Sequence, residues 1–166
     1  MKWIVIIVVA ILAEVALVYL VGSLLPVQHT ATVTASLQNS PDEVWSTISD
    51  PRQFATWRSG LKSVEVTDER NWKEISSQGD EIIFQAVIWE PGKKLVTRIM
   101  NQDLPFGGEW VYEFQADGKG TRLTITENGE VYNPVFRFMS KYVFGHDTTL
   151  KNYVADLEKT LLTVVR

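Results

Sequence analysis

One carboxylate in the second half of the chain, Glu127, has a sequence context that suits acid–base chemistry. It belongs to a run predicted as a strand, Thr121–Tyr132. Every second side chain of a strand lies on the same face, so Glu127 shares a face with Leu123 and Ile125. Burial of that face would favour the neutral carboxyl, which can serve as a general acid or base. Glu127 is therefore the candidate catalytic residue. The alternatives are a polar contact that orients a ligand and a carboxylate at a cavity mouth, in water.

Arg98 is the cation that we expect beside Glu127. It shares a strand face with Val96 and Met100, in a part of the sheet that we place near the last strand. Such a partner fits a catalytic carboxylate, but it fits a purely structural charge pair equally well. The pattern therefore leaves the role of this pair open.

Composition and spacing exclude most other kinds of site. The chain has no cysteine, which removes thiol nucleophiles, thiolate metal sites and disulfides. Histidine pairs with zinc-site spacing and Asp-rich calcium loops are also absent from the sequence, so we expect no metal and no cofactor. His146 and Asp147 are adjacent at a predicted helix start and would point in different directions, which favours a surface histidine over a triad. A net charge of −4, with scattered Lys and Arg, argues against a nucleic-acid partner.

The first element along the chain is a predicted transmembrane helix over Trp3–Leu25. An apolar run of this length spans roughly 34 Å as a helix, enough to cross a bilayer core of about 30 Å. Glu14 opposes insertion, and it is either a tolerated carboxyl or a functional group in a helix contact or proton-linked site. A cleaved signal peptide is the alternative, but its apolar region would be shorter. We expect an anchor over residues 1–28 and a domain over residues 29–166.

The flanking charges predict the orientation of this single-pass anchor. Lys2 precedes the helix, and no Lys or Arg follows it until Arg52. Cytoplasmic flanks carry the excess of positive charge, so the N-terminus is expected in the cytoplasm. The domain would then lie on the outer side, in the periplasm or outside the cell.

The pattern after the anchor predicts one α+β domain. A strand over His29–Leu37 precedes a helix capped at Ser40 and a second, short helix that contains Trp57. Six strand-like runs separated by turns follow, and an amphipathic helix from Leu150 ends the chain. The order β-α-α-β-β-β-β-β-β-α is typical of a curved antiparallel sheet that grips one long C-terminal helix. A space between sheet and helix can bind small ligands.

Aromatic and apolar side chains are the candidates for lining that space. Such residues also form ordinary cores, so packing is the alternative for each of them. The segment Tyr132–Met139 would be a cavity lid, a membrane-touching surface or ordinary packing. The predicted cavity residues are Trp57, Phe84, Arg98, Trp110, Tyr112, Phe114, Glu127, Phe136 and Met139.

Two segments of the chain resemble a known superfamily. SPDEVWSTISDPRQFATW (Ser40–Trp57) and TRLTITENGEV (Thr121–Val131) resemble the polyketide cyclase/dehydrase and lipid-transport superfamily, also called SRPBCC or START-like. The resemblance covers about residues 30–165, and it implies the helix-grip fold with a hydrophobic cavity. It also implies lipids, sterols, polyketides or hormones as ligands, with catalysis in a minority of members. It carries over no catalytic residue, and an N-terminal anchor departs from the usual soluble form.

Three functional hypotheses follow. The first is a membrane-anchored domain that binds a hydrophobic small molecule or lipid between sheet and C-terminal helix. The second is a cyclase- or hydratase-like enzyme that uses Glu127, which requires a second polar group within reach of the same cavity. The third is a non-catalytic interaction module whose cavity is filled by its own side chains. Ligand identity and oligomeric state are left open by the sequence.

Overall fold

The structure, a computed structural model, describes residues 2–164; Met1 and residues 165 and 166, the last two of the predicted domain, lie outside the described residues. The helices are α1 (Lys2–Leu24), α2 (Pro41–Ile48), α3 (Phe54–Trp57), α4 (Pro134–Met139) and α5 (Thr148–Val164). The strands are β1 (Gln28–Leu37), β2 (Leu61–Val66), β3 (Asn71–Ser76), β4 (Glu81–Glu90), β5 (Lys94–Ile99), β6 (Phe106–Asp117) and β7 (Gly120–Val131). A 3₁₀ turn (Pro51–Gln53) precedes α3, and a π-helical turn (Ser140–Phe144) follows α4.

The seven strands form one antiparallel sheet in the order β1-β7-β6-β5-β4-β3-β2. Only the β1–β7 pair joins strands that are distant in the chain, and its register places Ala31 opposite Glu127. The remaining neighbours are consecutive hairpins, which twist and curve together. The predicted α+β helix-grip fold is therefore confirmed, with the C-terminal helix α5 on the concave face.

Capping residues start the helices where the sequence predicted them. The Ser40 hydroxyl accepts the backbone N–H of Glu43, and the Glu43 carboxylate accepts the backbone N–H of Ser40. This reciprocal pair satisfies two amides that α2 would otherwise leave free. Asn133 caps α4 through its side-chain oxygen, which accepts the N–H groups of Val135 and Phe136.

The core lies between the sheet and α5. Leu150 and Leu157 of α5 are fully buried, and they share one face of the helix. They meet a concave face on which Leu123 and Ile125 are fully buried as well. The apolar face of α5 and the apolar face of the sheet thus form one core. Residues nearer α1 on the same face of the sheet line an open cavity.

Helix α1 is 23 residues long and is long and apolar enough to cross a membrane. Its side chains are exposed along almost the whole length, with Gly22 as the one buried residue. Gly22 lies against the Pro134 carbonyl, where any Cβ would collide with the oxygen. The end of α1 therefore packs directly on the start of α4.

Strand β6 begins earlier than the sequence predicted. By sequence, Gly107 and Gly108 favour a loop, but both residues pair with β7 in register with Glu130 and Gly129. Gly108 has φ +118°, and a Cβ there would collide with the Asn128 carbonyl. The glycines therefore allow the two strands to approach closely, which extends the sheet toward α1.

Candidate ligand-binding cavity

A cavity of about 710 Å³ lies between the concave face of the sheet and α5. This volume is within the range of roughly 300–1,000 Å³ that small-molecule sites occupy. Its walls are mostly apolar, and polar side chains are concentrated at two places. The main apolar side chains are Ile48, Phe54, Leu61, Ile82, Phe84, Ile99, Phe106, Trp110, Phe136, Met139 and Phe144.

The first polar group, the inner cluster, consists of Arg58, Glu74, Thr97, Tyr112 and Tyr153. Arg58 Nη1 lies 2.6 Å from Glu74 Oε1, and Glu74 is almost fully buried. The guanidinium also stands 5.3 Å from the centroid of the Tyr153 ring. A buried ion pair of this geometry compensates the charge of both members while leaving polar surface in the cavity wall.

Burial controls protonation in the inner cluster. It raises the pKa of Tyr112 and of Tyr153, so both phenols remain neutral donors at physiological pH. For Arg58, burial alone would lower the pKa, but the neighbouring Glu74 carboxylate raises it above the ordinary value. The cluster therefore offers neutral hydroxyls and a permanently charged guanidinium to a ligand.

Hydrogen bonds join the segment after α3, at the inner end of the cavity, to α5. The backbone N–H and the hydroxyl of Ser59 both donate to Asp156 Oδ2, at 2.7 and 2.8 Å. Ser59 follows α3, while Asp156 lies one turn beyond Tyr153 on α5. This link joins the segment that carries Arg58 to the helix that carries Tyr153.

The second polar group, the mouth cluster, consists of His29, Glu127, Ser140 and His146. His29 Nε2 lies 3.6 Å from Glu127 Oε1. The rings of His29 and His146 stack with centroids 4.2 Å apart, and Ser140 Oγ is 2.9 Å from His146 Nδ1. Glu127 Oε2 is buried and makes no hydrogen bond within the described residues, and the Glu127 side chain borders the cavity.

The mouth cluster is assembled from four different segments. His29 is the second residue of β1, and Glu127 lies on β7. Ser140 opens the π-helical turn, and His146 follows Gly145, whose φ of +79° redirects the chain toward α5. Desolvation lowers the pKa of His146, and the adjacent His29 lowers it further.

Trp110 separates the two clusters. It pairs with Glu127 across β6 and β7, and its ring centroid lies 5.5 Å from that of Tyr153. Polar groups thus lie on both sides of an aromatic wall. The cavity can hold an apolar body with polar groups at either end, and within residues 2–164 no three His, Asp or Glu side chains form a metal site.

Six of the nine predicted cavity residues border the cavity. Their side chains come from β4, β6, β7 and α4, which agrees with the strand alternation used to choose those on the sheet. They are Phe84, Trp110, Tyr112, Glu127, Phe136 and Met139.

Arg98 is a correction. It lies on the convex face of the sheet, where its guanidinium is 2.7 Å from Glu109 Oε2. The expected pair with Glu127 does not form, because Arg98 and Glu127 face opposite sides. Arg98 was assigned to the core-facing side because it shares a face with Val96. Val96 is buried instead on the convex face, beside Ile88 and Val111.

Trp57 and Phe114 are corrections of a different kind, because both are buried in the core beside the cavity. Trp57 packs edge-on against Phe54 and Tyr153 and does not border the open space. Phe114 packs against Trp45 of α2, which fills the far end of the concave face. The strand alternation correctly placed Phe114 on the concave face, but α2 covers that position, whereas Trp57 lies on α3 and packs into the core.

Sequence reasoning missed His29, Arg58, Glu74, His146 and Tyr153. A signal existed for two of them: Glu74 shares a strand face with Trp72, and Tyr153 lies on the helical stripe of Leu150 and Leu157. His146 is partly exposed just before α5, and it also borders the cavity, which the sequence did not indicate. The stacking of His146 on His29 depends on the π-helical turn, which nothing in the sequence indicated.

Solved structures of other bacterial proteins share this fold. A conserved protein from Geobacillus kaustophilus is 19% identical with TM-score 0.70, over 81% of this chain and 96% of that chain. A Thermus thermophilus protein is 16% identical with TM-score 0.70, over 83% and 100%. A START superfamily protein from Mycobacterium smegmatis is 17% identical with TM-score 0.62, over 82% and 99%.

The sequence itself assigns the family. The chain matches no functionally curated protein. Residues 28–159, however, match the sequence profile of the family described as polyketide cyclase / dehydrase and lipid transport. That match runs from β1 into α5 and includes both polar clusters. The chain therefore belongs to the polyketide cyclase/dehydrase and lipid transport family, with the START-like helix-grip fold.

Proposed function

We propose that this protein is a membrane-anchored domain that binds a hydrophobic small molecule or lipid in the cavity between sheet and α5. The observation that carries the proposal is a space of about 710 Å³ with an apolar wall and two polar clusters. Burying apolar ligand surface supplies affinity, while a few polar groups fix orientation. The family's description as a lipid-transport family is consistent with such a ligand.

The polar clusters narrow the chemistry of the ligand. The inner cluster offers a guanidinium paired with Glu74 and two neutral phenols, which suit a hydroxyl, carbonyl or carboxylate group. The mouth cluster offers the Glu127 carboxylate and two imidazoles. An amphiphile with an apolar body and a polar end satisfies this arrangement better than a pure hydrocarbon.

Helix α1 would hold the domain to a membrane. Its exposed apolar surface has no partner among residues 2–164 apart from the contact of its last turns with α4. Lipid is the environment that suits such a surface. Lys2 before the helix, with no Lys or Arg after it until Arg52, supports an N-terminus in the cytoplasm and a domain on the outer side.

An open interior weighs against the interaction module with a filled core. The six tryptophans do not occupy the space, and Trp110 and Trp72 stand in its wall. The large side chains instead frame a space that remains in the folded chain.

The second candidate is an enzyme, and one observation favours it. Glu127 borders the cavity with the His29 imidazole nitrogen 3.6 Å from its Oε1, so the required second polar group lies in the same cavity. Such a pair can abstract and return a proton. Ligand binding alone requires neither group. The enzyme hypothesis therefore predicts that Glu127→Gln loses activity but still binds the ligand.

Native mass spectrometry of the full chain, released from detergent micelles and followed by solvent extraction, tests the binding proposal. Two variants give the matched comparison, because Ile82 borders the cavity and Ile83 is exposed outside it. We expect added mass on the wild type and on Ile83→Trp, and strong depletion of that mass on Ile82→Trp. Equal mass on all three would place the ligand outside the cavity, and no added mass on any would contradict the proposal.

A further inference from the structure

The end of α1 is joined to the wall of the cavity. Gly22 contacts the Pro134 carbonyl, and Arg137 Nη1 donates to the Leu25 carbonyl at 2.7 Å. Both contacts attach the last turn of α1 to α4. We call residues 133–145 the cover segment; it comprises α4, the π-helical turn and their flanking residues.

These contacts fix the depth of the cover segment relative to the apolar run. Gly22 lies about 3 Å along the helix axis before Leu24, the last residue of α1. The apolar run ends at Leu25, so α4 lies at the level where that run meets water. A helix at this depth adjoins the boundary of whatever bilayer holds α1.

The outer face of the cover segment has the composition of a membrane-surface helix. Tyr142 and Val143 are each 56% exposed, and neither borders the cavity, so their side chains face outward. Lys141 is exposed beside them, and its ammonium lies 5.5 Å from the centroid of the Tyr142 ring. Aromatic and apolar side chains with an adjacent cation are typical of the interface between acyl chains and headgroups.

The inner face of the same segment is cavity wall. Phe136, Met139 and Phe144 border the open space, and the mouth cluster residues Ser140 and His146 stand next to them. A single layer of residues therefore separates the cavity from the outward-facing Tyr142 and Val143. The layer contains a π-helical turn and ends at a glycine with φ +79°, both of which interrupt regular helix.

We propose that the cover segment lies on the surface of the bilayer that holds α1, and that the ligand is a bilayer-dissolved amphiphile that enters the cavity by displacing this segment. This rests on the proposed function, since it requires both the anchor and the ligand site. The occupant of the outer apolar face is then the lipid headgroup boundary. Displacement would open the mouth cluster first, so a polar end of the ligand would meet Glu127 and the two histidines.

The position of the segment is tested by spin labels on the full chain in lipid vesicles. The chain has no cysteine, so single-cysteine variants label at one site only. Labels at Tyr142→Cys and Val143→Cys should be accessible to oxygen and shielded from a polar nickel complex. Leu20→Cys, on the exposed surface of α1, should behave in the same way, and Val87→Cys, an exposed apolar position on β4, should show the reverse.

The two possible failures are distinguishable. If labels at Tyr142 and Val143 behave like the label at Val87 while Leu20→Cys is shielded, the anchor stands and the placement of the cover segment is wrong. If Leu20→Cys itself is open to the nickel complex, the anchoring in the proposed function fails.

The entry route is tested by loading a fluorescent fatty acid, cis-parinaric acid, from vesicles and separately from detergent micelles. Val143→Asp should slow loading from vesicles about tenfold, because a carboxylate resists contact with the hydrocarbon region. Its loading from micelles, and both rates for Val87→Asp, should match the wild type. An unchanged vesicle rate in Val143→Asp would overturn the route, and absence of loading from either source in the wild type would contradict the proposed function.

Discussion

His29 and His146 stack face to face, with ring centroids 4.2 Å apart and an interplanar angle of 23°. One ring follows the end of α1 and the other precedes α5, so the pair joins the first and last elements of the domain. The groups around His146 are His29 on β1, Glu127 on β7, Lys141 in the π-helical turn and its neighbour Asp147. Protonation of both rings would place two positive charges in contact.

This pair predicts a loss of stability at acidic pH. Desolvation and His29 lower the pKa of His146, so the unfolded chain takes up its proton at a higher pH than the folded chain does. The stability that neutral His146 contributes is therefore fully present above the ordinary histidine pKa of 6.5. It is lost as the pH falls toward the lowered pKa of His146 in the folded chain. We expect the unfolding temperature of the full chain in detergent to fall between about pH 7.5 and about pH 5.

His146→Gln provides the comparison for that measurement. The variant retains a polar side chain but cannot titrate, so its loss of unfolding temperature over the same pH interval should be smaller. An identical loss in the variant and the wild type would show that other groups, such as buried carboxylates, control the acid response.

Removing Glu74 should strongly destabilise the domain. Glu74→Gln leaves the Arg58 guanidinium buried without its counter-charge, which typically costs about 3 kcal/mol or more. The double variant Arg58→Met with Glu74→Leu removes both charges and should recover much of that loss. Urea unfolding of Arg58→Met, Glu74→Leu and the double variant measures the coupling between the two residues. Additive losses would contradict a compensated pair.

Bulk at Gly22 should disturb the contact between α1 and α4. Gly22→Leu places a side chain where the Pro134 carbonyl lies, and overpacking of this kind costs about 1–3 kcal/mol. Ala16→Leu adds comparable bulk to an exposed position of the same helix and should be neutral. Thermal unfolding compares them, and equal stability of the two variants would show that the contact contributes little.

Glu127→Gln separates the binding and catalytic hypotheses. A binding domain should carry the same extracted molecule in the wild type and the variant, since the amide keeps one acceptor oxygen. An enzyme with Glu127 as acid or base should accumulate a different molecule, its unreacted substrate, in the variant. Mass spectrometry of the extracts distinguishes these outcomes, with Glu113→Gln, on the convex face and outside the cavity, as the control.

Local signals made most of the fold predictable. The capping box at Ser40, the Asn133 cap and the alternation around Ile125 each depend on residues close in sequence. Such signals require no knowledge of tertiary contacts, and the family resemblance supplied the arrangement of sheet and helix. The early start of β6 was missed because glycines usually indicate a turn, whereas Gly108 permits close strand approach.

The candidate site was only partly predictable because its parts meet through tertiary structure. Glu127 and Trp110 were found from alternation on their own strands. Arg98 was misplaced because both faces of β5 carry buried residues, so the pattern did not identify the concave face. The His29–His146 contact joins segments from opposite ends of the domain, and no spacing rule connects them.

Only Leu25, Pro26 and Val27 separate α1 from β1, a tether of about 10 Å at full extension. With α1 in a membrane, this short connection and the contacts of Gly22 and Leu25 with α4 would keep the domain at that membrane, so it could not travel between two separate membranes. Any molecule delivered to another compartment would have to be handed to a second acceptor that comes to this surface. A domain held this close to the membrane is better suited to exchange its ligand at that surface than to carry it from one membrane to another.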